Sequence, residues 1–152
     1  MPLQMIFEMK LPSSTVKSLV LGKLYLSTDK ENIKFQATSG IGGFQHKGAW
    51  NTPRKGMIPP RDDYFVSTNR LWLPQVKGVE GSFYPITPFS VKTDNGTTRG
   101  DFGIHFDANV PGTAGCIALP LQSHWDIFRE EMKKYNDKRI KQIPLIVRYV
   151  LS

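Results

Sequence analysis

Turn-forming residues interrupt this chain so often that only one stretch is left for a long helix. The 13 glycines and 11 prolines are scattered through all 152 residues, and short runs of β-favouring side chains recur between them, at 4–9, 18–27, 33–38, 64–68 and 144–151. Ser39-Gly40-Ile41-Gly42-Gly43, Asp94-Asn95-Gly96 and Pro59-Pro60 are poor interiors for helix or strand and read as turns. The exception is 123–137, where Trp125, Phe128, Met132 and Tyr135 recur at helical spacing among charged residues. An amphipathic helix is predicted there, its apolar stripe turned to the core. Ser123, with Asp126 three residues on, has the pattern of a helix cap. The β-branched run at 143–151 predicts a final strand that closes back onto the sheet. The expected fold is mostly β, sandwich-like or barrel-like, with one helix, in a single domain spanning 1–152.

A chain of this length buries roughly two-thirds of its unfolded surface without disulfides or metal. Cys116 is the only cysteine, so no intramolecular disulfide exists and the thiol is either a small core residue or a chemical group. The formal charge of +7 implies attraction to a polyanion: nucleic acid, an anionic membrane face, or the acidic polymers of a bacterial wall. Basic residues are dense only at 133–141, and no zinc-finger spacing, aromatic RNA-binding box or basic heptad accompanies them, which argues against nucleic acid. No apolar run approaches the ~20 residues of a membrane-crossing helix. Residues 1–10 lack the basic start, apolar core and small-residue cleavage site of an export signal.

A thiol attacks as thiolate, and its ordinary pKa leaves it mostly protonated at neutral pH unless a base or backbone dipoles intervene. His105 is the candidate base. Cys116 lies eleven positions further on, and Asn109, Pro111 and Gly112 suit a loop that joins two β segments and folds one beside the other. Gly115 lets a substrate approach, and the N–H groups of Gly115 and Cys116 are candidate oxyanion donors. The Thr113 hydroxyl is placed to shape this loop. The second imidazole nitrogen needs a partner, for which Asp107 and a backbone carbonyl near Phe106 are the alternatives. A cysteine between Gly115 and Ile117 is equally what a buried strand residue looks like.

His105, followed downstream by Thr113-Ala114-Gly115-Cys116-Ile117, resembles the catalytic motif of the L,D-transpeptidase (YkuD-type) family, and the likeness extends from about residue 20 to the end. Ala37-Thr38-Ser39-Gly40, the turn at 51–60 leading into 64–66, Tyr84-Pro85 through Phe89, and the segments 119–128 and 143–149 are similar to that family's pattern. The resemblance implies a mostly β catalytic domain, a cysteine acyl-enzyme, peptidoglycan stem peptides as substrate, and no metal or organic cofactor. It implies Cys116 as nucleophile, His105 as base, Gly115 in the oxyanion site and the Phe106 carbonyl as the imidazole's orienter. Two positions differ: many members carry an arginine two residues after the cysteine and a histidine two residues before it, where this chain has Ala118 and Ala114. The short gap between His105 and Cys116 resembles a compact branch found among phage-encoded and toxin-like wall enzymes.

The expected substrate-binding residues are Arg99, as a replacement guanidinium for a substrate carboxylate, with Thr113, Tyr84 and Trp72. An exposed turn arginine is the plainer reading of Arg99. Trp50 and Trp72 have flat rings suited to lining a groove or covering a core. His46 and His124 lack any short metal-ligand spacing, and no metal site is expected. The expectation is thus a monomeric peptidoglycan-active cysteine enzyme, an L,D-transpeptidase or L,D-carboxypeptidase. It would act in the periplasm or wall, delivered by a route other than its own leader or with its leader removed, with an immunity or delivery protein as a further partner. The alternative is a non-catalytic wall-binding or phage structural module of the same fold.

Overall fold

The structure is a computed structural model that describes residues 3–14, 16–79, 81–107 and 112–151. The loop residues Asn109 and Pro111 lie outside the described residues. Eleven strands and one long helix follow in order: β1 (Gln4–Leu11), β2 (Gly22–Ser27), β3 (Asn32–Ser39), β4 (Arg61–Ser67), β5 (Leu71–Leu73), β6 (Gly81–Thr87), β7 (Ser90–Lys92), β8 (Thr98–Gly100), β9 (Gly103–Phe106), β10 (Ile117–Leu119), α1 (Gln122–Asp137) and β11 (Gln142–Leu151). A single 3₁₀ turn covers Ala49–Asn51.

Alternation writes the barrel. Met5, Phe7, Met9 and Leu11 on β1 are buried, as are Leu24 and Leu26 on β2, Tyr64 and Val66 on β4, and Ile143, Leu145 and Val147 on β11. A period of two puts each set on one face of its strand, and that face must be covered. Covering is achieved by closure: the order β4-β11-β1-β2-β3-β10-β9-β6 returns to its start through β4–β6 pairing, giving a closed barrel of eight strands. Two neighbours are parallel, β1 with β11 and β9 with β10. β5 is attached outside the closure, on β6, and β7–β8 is a separate hairpin around Asp94-Asn95-Gly96.

The predicted strand at 18–27 begins only at Gly22. The Val20 peptide leaves the ladder because side chains satisfy it: its N–H donates to Gln45 Oε1 at 2.6 Å, and its carbonyl accepts from Thr38 Oγ1 at 2.7 Å and Gln45 Nε2 at 3.0 Å. The helix lies where its periodicity places it, with Trp125, Phe128, Met132 and Tyr135 buried. Phe128 meets Phe35 and Tyr84 edge-on, at centroid distances of 5.6 and 5.4 Å. The Ser123 cap is corrected. The helix starts one residue earlier, its N-cap is Leu121 without a side-chain cap bond, and Ser123 falls inside the first turn. Asp126 instead bonds Gln122 and Arg129 along the helix surface.

Candidate functional site

His105 lies on β9 and Cys116 immediately precedes β10. In the parallel register Ile117 faces Ile104 and Ala118 faces His105. Continued one residue back, that register brings Cys116 level with Gly103, on the sheet face that carries His105. Both residues line one cleft of about 900 Å³. Ala118, where many resembling proteins carry arginine, is wholly buried in register with His105 and leaves that position without a cation.

His105 is 4% exposed. Its Nδ1 lies 2.8 Å from the Phe106 carbonyl, so Nδ1 carries the proton and Nε2 holds the lone pair. Burial lowers its pKa, against the opposing effect of that carbonyl, and the ring is neutral at pH 7. Phe83, directly opposite His105 on β6, stacks on it with planes 19° apart. The same ring explains Gly103: a Cβ there would lie 2.2 Å from Phe83 Cζ. Of the two orienters left open for the imidazole, the structure supplies the Phe106 carbonyl. Asp107 is engaged elsewhere, accepting the Gly112 N–H at 3.1 Å on Oδ2.

Cys116 is partly buried. Its thiol donates towards the Asp101 carbonyl at 3.7 Å. Desolvation pushes its pKa up to about 11, while the Gly103 N–H and the Arg99 charge pull the other way. Its loop is bound to the end of β3 by reciprocal bonds. The Thr113 hydroxyl donates to the Cys116 carbonyl at 2.5 Å and accepts the N–H of Gly40 at 3.1 Å and of Gly115 at 3.2 Å. The Ser39 hydroxyl donates to the Gly115 carbonyl at 3.2 Å and accepts the Ile58 N–H at 2.9 Å. Thr113 thus shapes the loop, as its hydroxyl suggested, and also lines the cleft. Gly115 is at φ 127, a conformation that favours glycine. Its N–H is committed to Thr113, which corrects its assignment as an oxyanion donor.

Three expected substrate residues are placed elsewhere. Arg99 is 5% exposed, and its terminal nitrogens donate to the carbonyls of Trp50, Met57, Gly56 and Ala114 at 2.7–3.3 Å. With those donors spent on the chain itself, it is a buried strut beneath the cysteine loop, neither a carboxylate fork nor an exposed turn residue. Tyr84 points from β6 to the helix, where it meets Trp125 and Phe128, because neighbouring residues of a strand face opposite ways and Phe83 takes the cleft side. Trp72 is 61% exposed beneath the Arg70 guanidinium, while its neighbours Leu71 and Leu73 line the cleft. Trp50 stacks on Tyr149 against the core. His124 Nδ1 accepts the Gln36 N–H. No group of three or more potential metal ligands occurs among the described residues.

Phe83, Gly103 and the Asp101 carbonyl were missed by sequence reasoning. Gly103 had a signal, a glycine inside a strand two residues before the histidine. Phe83 had none, since its place opposite His105 depends on the pairing of β6 with β9. Comparison with protein-family models, with curated proteins and with solved structures returns no match.

Proposed function

We propose that the chain is a cysteine acyltransferase or hydrolase of peptidoglycan stem peptides, of the L,D-transpeptidase or L,D-carboxypeptidase kind. The observation that carries this reading is that Cys116 and a neutral, carbonyl-oriented His105 line one cleft, at the neighbouring parallel strands β9 and β10. The resting site is a thiol and an imidazole, because burial raises the first pKa and lowers the second. The step is then general-base catalysis from a neutral thiol rather than attack by a preformed thiolate. His105 Nε2 takes the thiol proton as Sγ attacks the carbonyl that follows an L-configured centre of the diamino acid. The Phe106 carbonyl stabilises the imidazolium through Nδ1–H. The Cys116 N–H is the candidate donor left for the oxyanion, Gly115 being committed. On collapse the C–N bond breaks, His105 returns the proton to the leaving carboxy-terminal amino acid, and a thioester remains. An acceptor amine or water then attacks the thioester while His105 takes its proton, and the C–S bond breaks.

Support for the wall as substrate comes from the resemblance of His105 and the segment 113–117, and from the charge of +7. Mass spectrometry of purified muropeptides treated with the protein tests the reading. Loss of the terminal residue, or its exchange, is expected from the wild type and is expected to fall at least about a thousandfold in Cys116→Ala. Undiminished turnover in that variant would sink the assignment.

A second reading is a non-catalytic wall-binding module, favoured by the thiol pKa of about 11. It expects sacculus binding that persists in Cys116→Ala, and no loss or exchange of the terminal muropeptide residue by the wild type.

A further inference from the structure

The cleft over Cys116 is far more apolar than a terminal alanine requires. Leu71 and Leu73 of β5, Val76 and Val79 of the turn after it, Phe83 and Phe89 all line it. Leu71, Val76 and Phe89 remain 49%, 41% and 62% exposed. Side chains of this size gain about 25 cal/mol for each Å² withdrawn from water, so this wall favours a hydrocarbon group laid against it. Isolated exposed apolar residues are ordinary, but a contiguous set beside a nucleophile marks a binding surface.

Two further observations define the ligand. Arg54 and Lys77 line the same cleft, and neither forms an ion pair with a described residue. Asp101, the acid among the described lining residues, is likewise without an ion-pair partner among them, so the described charges of the cleft sum to a net positive. β5 is the terminal strand of its sheet, paired on one side with β6, and no described strand pairs with its other edge. An open strand edge offers backbone donors and acceptors to an extended peptide, which a fatty acid cannot use.

We propose that the cleft binds a peptide whose carboxy-terminal residue carries a bulky hydrocarbon side chain beside a free carboxylate. The side chain lies on the wall made by Leu71, Leu73, Val76 and Phe89, and the carboxylate faces Lys77 and Arg54. This deepens the proposed function and rests on it only for what happens after binding: the residue released or exchanged is large and apolar.

Binding is measured by NMR titration of full-length Cys116→Ser, which separates recognition from chemistry. The probes are N-acetyl-L-alanyl-D-phenylalanine, the corresponding D-alanine peptide, the D-phenylalanine peptide as its amide, and octanoate. The phenylalanine acid is expected to bind at least about tenfold tighter than the alanine acid. Its amide is expected to be about threefold weaker than the acid. Arg54→Gln combined with Lys77→Gln should bring the acid down to the amide, and Leu73→Asp should erase the preference for phenylalanine. Equal affinity for the two side chains, equal affinity for acid and amide, octanoate binding as tightly as the peptide, or no saturation by any probe would each overturn the proposal. If binding follows the expected order but the wild type neither releases nor exchanges the terminal residue, the catalytic reading fails and the recognition stands.

Discussion

The neutral imidazole of His105 has a consequence for stability as well as for chemistry. Burial holds its folded pKa below the ordinary histidine value of about 6.5. Below that value the unfolded chain takes up a proton that the folded chain refuses. The unfolded state then binds more protons, so folding stability is fully present above about pH 6.5 and is lost as pH falls towards the folded pKa. Melting curves recorded at pH 7.5 and pH 5.5 are therefore expected to show a larger drop for the wild type than for His105→Gln, which lacks the titrating ring. An equal drop in both proteins would show that His105 is not held neutral. The same burial keeps the base competent in mildly acidic conditions.

At the level of single elements, α1 shows how a strong periodic signal coexists with a poorly finished end. Its stripe of Trp125, Phe128, Met132 and Tyr135 decides where it packs, yet Leu121 stands at the N-cap with no side-chain acceptor for the first-turn N–H groups. Leu121 has φ −98 and ψ 123, the extended geometry that a capping residue needs, and is 42% exposed. Leu121→Asp is expected to stabilise the fold by about 1 kcal/mol and to raise Tm by about 2–4 °C, read by calorimetry. Ser123→Ala is expected to change Tm little. β9 and β10 make the converse point. They are short, with four and three residues, and their register determines what the site contains.

Across the whole molecule, Arg99 ties together segments far apart in sequence. Its bonds to Trp50, Gly56, Met57 and Ala114 join the turn at 51–60 to the loop before the cysteine. Carbonyl dipoles take the place of a carboxylate partner, and burial lowers its pKa as a desolvated cation requires. Arg99→Met removes the charge but leaves several carbonyls without their donor, and is expected to cost about 3–5 kcal/mol in chemical denaturation. A cost below about 1 kcal/mol would show that water replaces those bonds without penalty.

The amino-acid sequence by itself determined a mostly β chain with one amphipathic helix, because periods of two and of 3.6 are local properties written in consecutive residues. It also singled out His105 and Cys116, since a lone thiol in a glycine-containing turn downstream of a histidine is visible without coordinates. The tertiary structure decided the rest. Tyr84 and Trp72 were expected at the substrate and face away from the cleft, and Arg99 was expected at a carboxylate and is enclosed by carbonyls. Which face of a strand looks into the cleft depends on register and on closure of the barrel, and both are set by residues dozens of positions apart. The opposition of Phe83 and His105 arises in that way, and so do the apolar wall of the cleft and the placing of Cys116 and His105 in one cleft.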